Sequence, residues 1–142
     1  MQLDDLYREV IMDHYQHPRN QGKLDGDAVS VDLRNPSCGD EITLQLRVSN
    51  DGVVEDVVFQ GSGCSISMAS ASMMTEAIKG QPVEKALEIA KEFRGMVRGE
   101  SPEDVDIGEL EALHGVSKFP ARIKCATLAW QALEKAVRRE EE

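Results

Sequence analysis

Ile42-Thr43-Leu44-Gln45-Leu46-Arg47-Val48, then Ser49-Asn50-Asp51-Gly52, then Val53-Val54-Glu55-Asp56-Val57-Val58-Phe59-Gln60: this stretch decides the fold. In its first part Ile42, Leu44, Leu46 and Val48 alternate with Thr43, Gln45 and Arg47. A period of two is that of a strand with one buried and one wet face. Asn50-Asp51-Gly52 is a hairpin turn signal, and Val53 to Gln60 reads as the returning strand. Upstream, Val29, Val31 and Leu33 alternate with Ser30, Asp32 and Arg34 and add one more. Three consecutive strands with short links predict an antiparallel meander.

The period lengthens on both sides of this meander. Before it, Leu3, Leu6, Tyr7, Val10, Ile11 and His14 form one stripe at three- and four-residue steps. They predict a helix over 3–15, with Asp4-Asp5 suiting its N-terminus and Pro18 ending it. After Gly63, Ile66, Ala69, Met73 and Ala77 share a helical face, with Gly80 placed for a C-terminal cap. Small residues over 65–72 let that helix pack closely on the sheet. Pro82 suits a first helical position, followed by a stripe of Val83, Ala86, Leu87, Ala90 and Phe93. Residues 94–119 are polar, with a short helix expected near Ile107 to Leu113. Pro120 opens a last helix carrying Ile123, Thr127, Trp130, Leu133, Ala136 and Val137 on one face. The expected class is α+β, a three-stranded antiparallel sheet with helices packed on one face.

The chain has 142 residues, 41% of them apolar, and a net charge of −10. That is the size of a single domain over 1–142, able to bury roughly 68–70% of its unfolded surface. The acidic balance, with no strong basic cluster, argues against nucleic-acid and anionic-membrane partners. No apolar run reaches the ~18 residues of a membrane span, and the N-terminus lacks a basic signal-peptide start. A cytoplasmic protein is expected, where three cysteines do not make a disulfide framework.

Those cysteines fall at element ends. Cys38 lies in the turn Asn35-Pro36-Ser37-Cys38-Gly39-Asp40, Cys64 in the strand-to-helix junction Gly61-Ser62-Gly63-Cys64-Ser65, and Cys125 in the first turns of the last helix. Any one alone reads as a small buried hydrophobe. Gly and Ser neighbours and helix starts suit a reactive or metal-binding thiolate better. Asp40 is the fourth candidate, two residues from Cys38 across Gly39. It reads equally as a turn-capping aspartate. Three thiolates and a carboxylate suit tetrahedral Zn²⁺, and the same groups can hold an iron–sulfur cluster. His14 reads as a packed histidine, His17 and His114 as solvated, and Met68, Met73 and Met74 as core. Arg122 and Lys124 flank Cys125, either as surface charges or as cations that favour thiolates and meet an acidic partner group.

Several separated motifs resemble, in order, the SufU/IscU (NifU N-terminal-like) family of iron–sulfur cluster assembly proteins. They are Leu6-Tyr7 through Asp13-His14-Tyr15, Pro18-Arg19-Asn20, Asn35-Pro36 to Cys38-Gly39-Asp40, Gly61 to Ser67, and Arg122 to Trp130. Lys124 stands where the IscU branch has a histidine, and Phe119-Pro120-Ala121-Arg122 replaces that branch's chaperone-read Leu-Pro-Pro-Val-Lys. The polar stretch around 95–118 resembles an insertion of the SufU branch. The resemblance therefore points to SufU. It implies zinc held by Cys38, Asp40, Cys64 and Cys125. It further implies that Cys38 accepts persulfide sulfur from a pyridoxal-phosphate cysteine desulfurase, freed from zinc when a desulfurase histidine replaces it. The chain would then be a sulfurtransferase-like partner of that enzyme, supplying downstream iron–sulfur assembly proteins. The alternative is an IscU-type scaffold building a [2Fe–2S] cluster on the same residues.

Overall fold

The computed structural model describes residues 2–35, 39–100 and 108–141. In chain order they form α1 (Gln2–Gln16), β1 (Val29–Asn35), β2 (Asp40–Val48), β3 (Val54–Ser62), α2 (Ser65–Ile78), α3 (Val83–Val97), a 3₁₀ segment (Gly108–Lys118) and α4 (Pro120–Glu141). The strands make one antiparallel sheet in the order β1-β2-β3, the expected meander. Val31 pairs with Leu44 and Leu44 with Phe59, so inward residues line up across all three strands.

The alternation has one break. A register shift at Arg47/Val48 pairs Arg47 with Asp56 and Val48 with Val54, leaving Glu55 as an extra residue. This bulge turns both Val54 and Val57 inward, which a strict period of two would not do. The outer face is polar: Thr43 donates to Asp32 at 2.5 Å, and Arg47 pairs with Asp56 at 3.0 Å.

Helices cover the inner face. α4 crosses β1 and β2, while α2 packs on β3 and also against α1 and α4. α2 is buried without a break from Ser67 to Thr75. The single apolar stripe read from the sequence is thus too narrow for this helix. Its Ser and Ala side chains let neighbours approach from several sides, as in a central helix. Gly80 follows the C-cap Lys79 with φ +82°, a left-handed conformation suited to glycine. Pro82 is the N-cap of α3 rather than its first helical residue, a one-position difference. The segment expected as a short helix near Ile107 to Leu113 is 3₁₀ over Gly108–Lys118, and Ile107 itself lies outside the described residues. Phe93 of α3 stacks on Trp130 of α4, ring centres 4.7 Å apart.

The end of α1 is fastened to α2 by polar contacts. His14 is buried, with Nδ1 2.7 Å from Ser72 Oγ, and the Arg19 amide donates to the same hydroxyl at 2.9 Å. Asn20 reaches Thr75 Oγ1 at 3.1 Å, while its carbonyl accepts from the Phe59 amide. On the outside, the Arg19 guanidinium donates to Asp13 at 2.6 Å and holds that carboxyl below its usual range. His17 and His114 are exposed, and Met68, Met73 and Met74 are core residues, as expected.

Candidate metal centre

Three elements converge at one end of the sheet. Asp40 opens β2 and is fully buried. Cys64 is the N-cap of α2, directly after β3, with the extended backbone (φ −72°, ψ 167°) usual for that position. Cys125 lies in the second turn of α4 and is 1% exposed, its Sγ 4.0 Å from the Ala121 carbonyl oxygen. The ligand atoms of Asp40, Cys64 and Cys125 all lie within 4.8 Å of one another.

Backbone hydrogen bonds set this geometry. The Cys64 amide donates to Asp40 Oδ1 at 2.9 Å, which fixes the carboxylate and leaves Oδ2 facing the sulfur of Cys64 at 3.9 Å. Gly63 makes the approach possible: a Cβ there would overlap Asp40 Oδ1 and press on its Cγ and Cβ. Cys64 Sγ in turn accepts from the Ser67 amide at 3.5 Å.

The donor set fits a metal ion. Two thiolates and one carboxylate oxygen are common zinc donors, and their mutual distances suit one small ion at bonds of ~2.0–2.3 Å. Of the four residues read from the sequence, Asp40, Cys64 and Cys125 are brought together, and Cys38 lies outside the described residues. Ser67 entered the sequence reading only as the end of the Gly61 to Ser67 motif, with no role at the centre.

A groove of about 720 Å³ opens beside this centre, with Ser65 and Ile66 on one wall and Phe119 and Arg122 on another. Among the described residues its lining includes the cations Arg8, Lys118 and Arg122 and no carboxylate. Phe119 is 61% exposed at its edge. Among the described residues no helix is long and apolar enough to cross a membrane.

A meander sheet whose edge presents clustered thiolates and a carboxylate beside two helix starts defines the class. The chain belongs to the family of NifU-like N-terminal domains, which matches residues 6–126. It is 60% identical over 140 residues to the zinc-dependent sulfurtransferase SufU of Bacillus subtilis, covering 98% of this chain and 94% of that one. It is 49% identical to the iron-sulfur cluster assembly scaffold protein IscU of Streptococcus pyogenes, covering 96% and 86%. A crystal structure of a putative iron-sulfur cluster assembly scaffold protein for the SUF system from Fervidobacterium islandicum superimposes with a TM-score of 0.85. That protein is 35% identical, over 90% of this chain and 93% of its own. Of these named relatives, SufU shares more of this chain's sequence than IscU does, 60% against 49%.

Proposed function

We propose that this protein works in iron–sulfur cluster assembly as a zinc-dependent sulfur acceptor for a cysteine desulfurase. The convergence of Asp40, Cys64 and Cys125 within 4.8 Å is the observation that carries this reading. Likeness to a zinc-dependent sulfurtransferase over 98% of the chain supports it. In this reading Cys38 is both the fourth ligand and the acceptor.

Zinc, when bound, keeps the thiolates deprotonated and brings no redox chemistry of its own. The transfer itself needs only sulfur groups. The Cys38 thiolate attacks the terminal sulfur of the desulfurase persulfide, the S–S bond breaks, and the desulfurase cysteine leaves as thiolate. Cys38 then carries the persulfide, and no electrons are gained or lost overall. Asp40 at the start of β2, Cys64 at the N-cap of α2 and Cys125 within α4 would keep their places through this step. The partner would dock across the groove, and the chain would pass sulfur on in the cytoplasm to later assembly proteins.

The experiment is desulfurase turnover with and without the protein. Wild type is expected to stimulate turnover, and Cys38→Ala to leave it at the desulfurase's basal rate. Equal stimulation by the two would remove Cys38 from the role. The scaffold reading, favoured by the likeness to IscU proteins, predicts a visible-absorbing cluster after anaerobic reconstitution. The sulfur-acceptor reading predicts retained zinc and no transferable cluster.

A further inference from the structure

The Ser67 hydroxyl is the one buried side-chain polar atom among the described residues that has no hydrogen-bond partner. Ser67 is fully buried, in the first turn of α2, and its amide already points at Cys64 Sγ. Ser70, three residues on, shares its face of the helix. That serine is fully used: its hydroxyl donates to the Ala126 carbonyl at 2.6 Å and accepts from Trp130 Nε1 at 3.1 Å. Ser67 therefore lies on the α4-facing stripe between Cys64 and the backbone that follows Cys125.

A buried hydroxyl left unpaired destabilises the state that contains it, and such a group calls for an explanation. Hydroxyls donate readily to thiolates. The Ser67 amide faces Cys64 Sγ at 3.5 Å, and Cys125 Sγ lies within 4.8 Å of that sulfur. A turn of the Ser67 side chain would bring its hydroxyl to the pair once a metal makes them thiolates. We propose that Ser67 is a positioning residue for the metal centre, its hydroxyl donating to a metal-bound sulfur of the Cys64–Cys125 pair. This rests on the metal-centre reading above. The hydroxyl is unsatisfied without metal and satisfied with it, so the residue trades stability of the empty protein for affinity of the loaded one.

The trade has a sign that a merely structural serine would not give. Ser67→Ala removes an unpaired group, so the metal-free variant is expected to melt at or above the wild-type temperature. Ser70→Ala, which strips two partners, is expected to melt lower. Zinc affinity of Ser67→Ala, by chelator competition, is expected to fall about 10-fold, at the low end for a lost outer-shell partner. With Co²⁺ as probe, the sulfur-to-cobalt charge-transfer band is expected to move to longer wavelength, because a thiolate without its donor gives up electron density more easily. A less stable metal-free Ser67→Ala, or one with wild-type zinc affinity and an unmoved cobalt band, would overturn the assignment. If wild type shows no sulfur-to-cobalt band at all, the metal centre itself fails, which is a distinguishable result.

Discussion

Asp40 shows why single residues of this centre cannot be read by one role each. From the sequence it was a turn cap or a metal ligand. In the fold one oxygen accepts from the Cys64 amide while the other faces the Cys64 sulfur, so the two roles use different atoms. The variants separate them. Asp40→Ala leaves the Cys64 amide without its acceptor, which costs about 1–3 kcal/mol of stability. It also removes the proposed oxygen ligand, and zinc affinity should then fall by ~10-fold or more, judged against the loss from outer-shell changes alone. Asp40→Asn keeps an acceptor for the amide but loses the anionic donor. Its metal-free melting temperature should stay near wild type while its zinc affinity falls. Thermal melts of both metal-free variants, beside chelator competition, make the check. Wild-type zinc affinity in both would leave Asp40 as a cap only.

At the scale of elements, the latch between α1 and α2 decides whether the centre's walls stay together. Ser72 accepts from the Arg19 amide and bonds His14 Nδ1 inside the protein. Ser72→Ala removes both contacts and should lower stability by about 1–3 kcal/mol, the cost of losing a buried hydrogen-bond partner. Denaturant unfolding with an unchanged m-value would confirm it, and a loss under ~0.5 kcal/mol would mean the latch is passive. This latch was hidden in the sequence. His14 announced itself as a packed histidine by its place on an apolar stripe, but its partner lies 58 residues away on a helix rich in serine and alanine. Such residues carry little hydrophobic contrast, which is also why the all-round burial of α2 was read as one face. The strands were legible because Ile42, Leu44 and Leu46 alternate so strictly with polar neighbours. The bulge at Arg47/Val48 was not, because nothing in a run of valines and acids marks which residue is the extra one. The convergence of Asp40, Cys64 and Cys125 was legible because glycines and helix starts flagged the cysteines; Cys38 lies outside the described residues. The unpaired hydroxyl of Ser67 depends on how α4 packs, and no local pattern encodes that.

Over the whole molecule, charge is distributed against the average. The chain carries a net charge of −10, yet the described residues lining the groove beside the candidate metal centre include Arg8, Lys118 and Arg122 and no carboxylate. An acidic surface that keeps one cationic, partly apolar groove will orient an acidic segment of a partner toward that groove and repel it elsewhere. Phe119 at the edge adds apolar area that such a contact would cover. Arg122 is a poor residue for the test, because it stands one helical turn before Cys125 of the candidate centre. Arg8 and Lys118, both exposed, are better. In Arg8→Glu/Lys118→Glu, association with the desulfurase should slow about 10-fold or more at low ionic strength. The gap to wild type should narrow as salt shortens the screening length to ~3 Å near 1 M. Zinc affinity should not change. Association rates at several salt concentrations, with zinc content measured on the same samples, decide the matter. A double variant that associates as fast as wild type at low salt would mean the desulfurase meets this protein on another face.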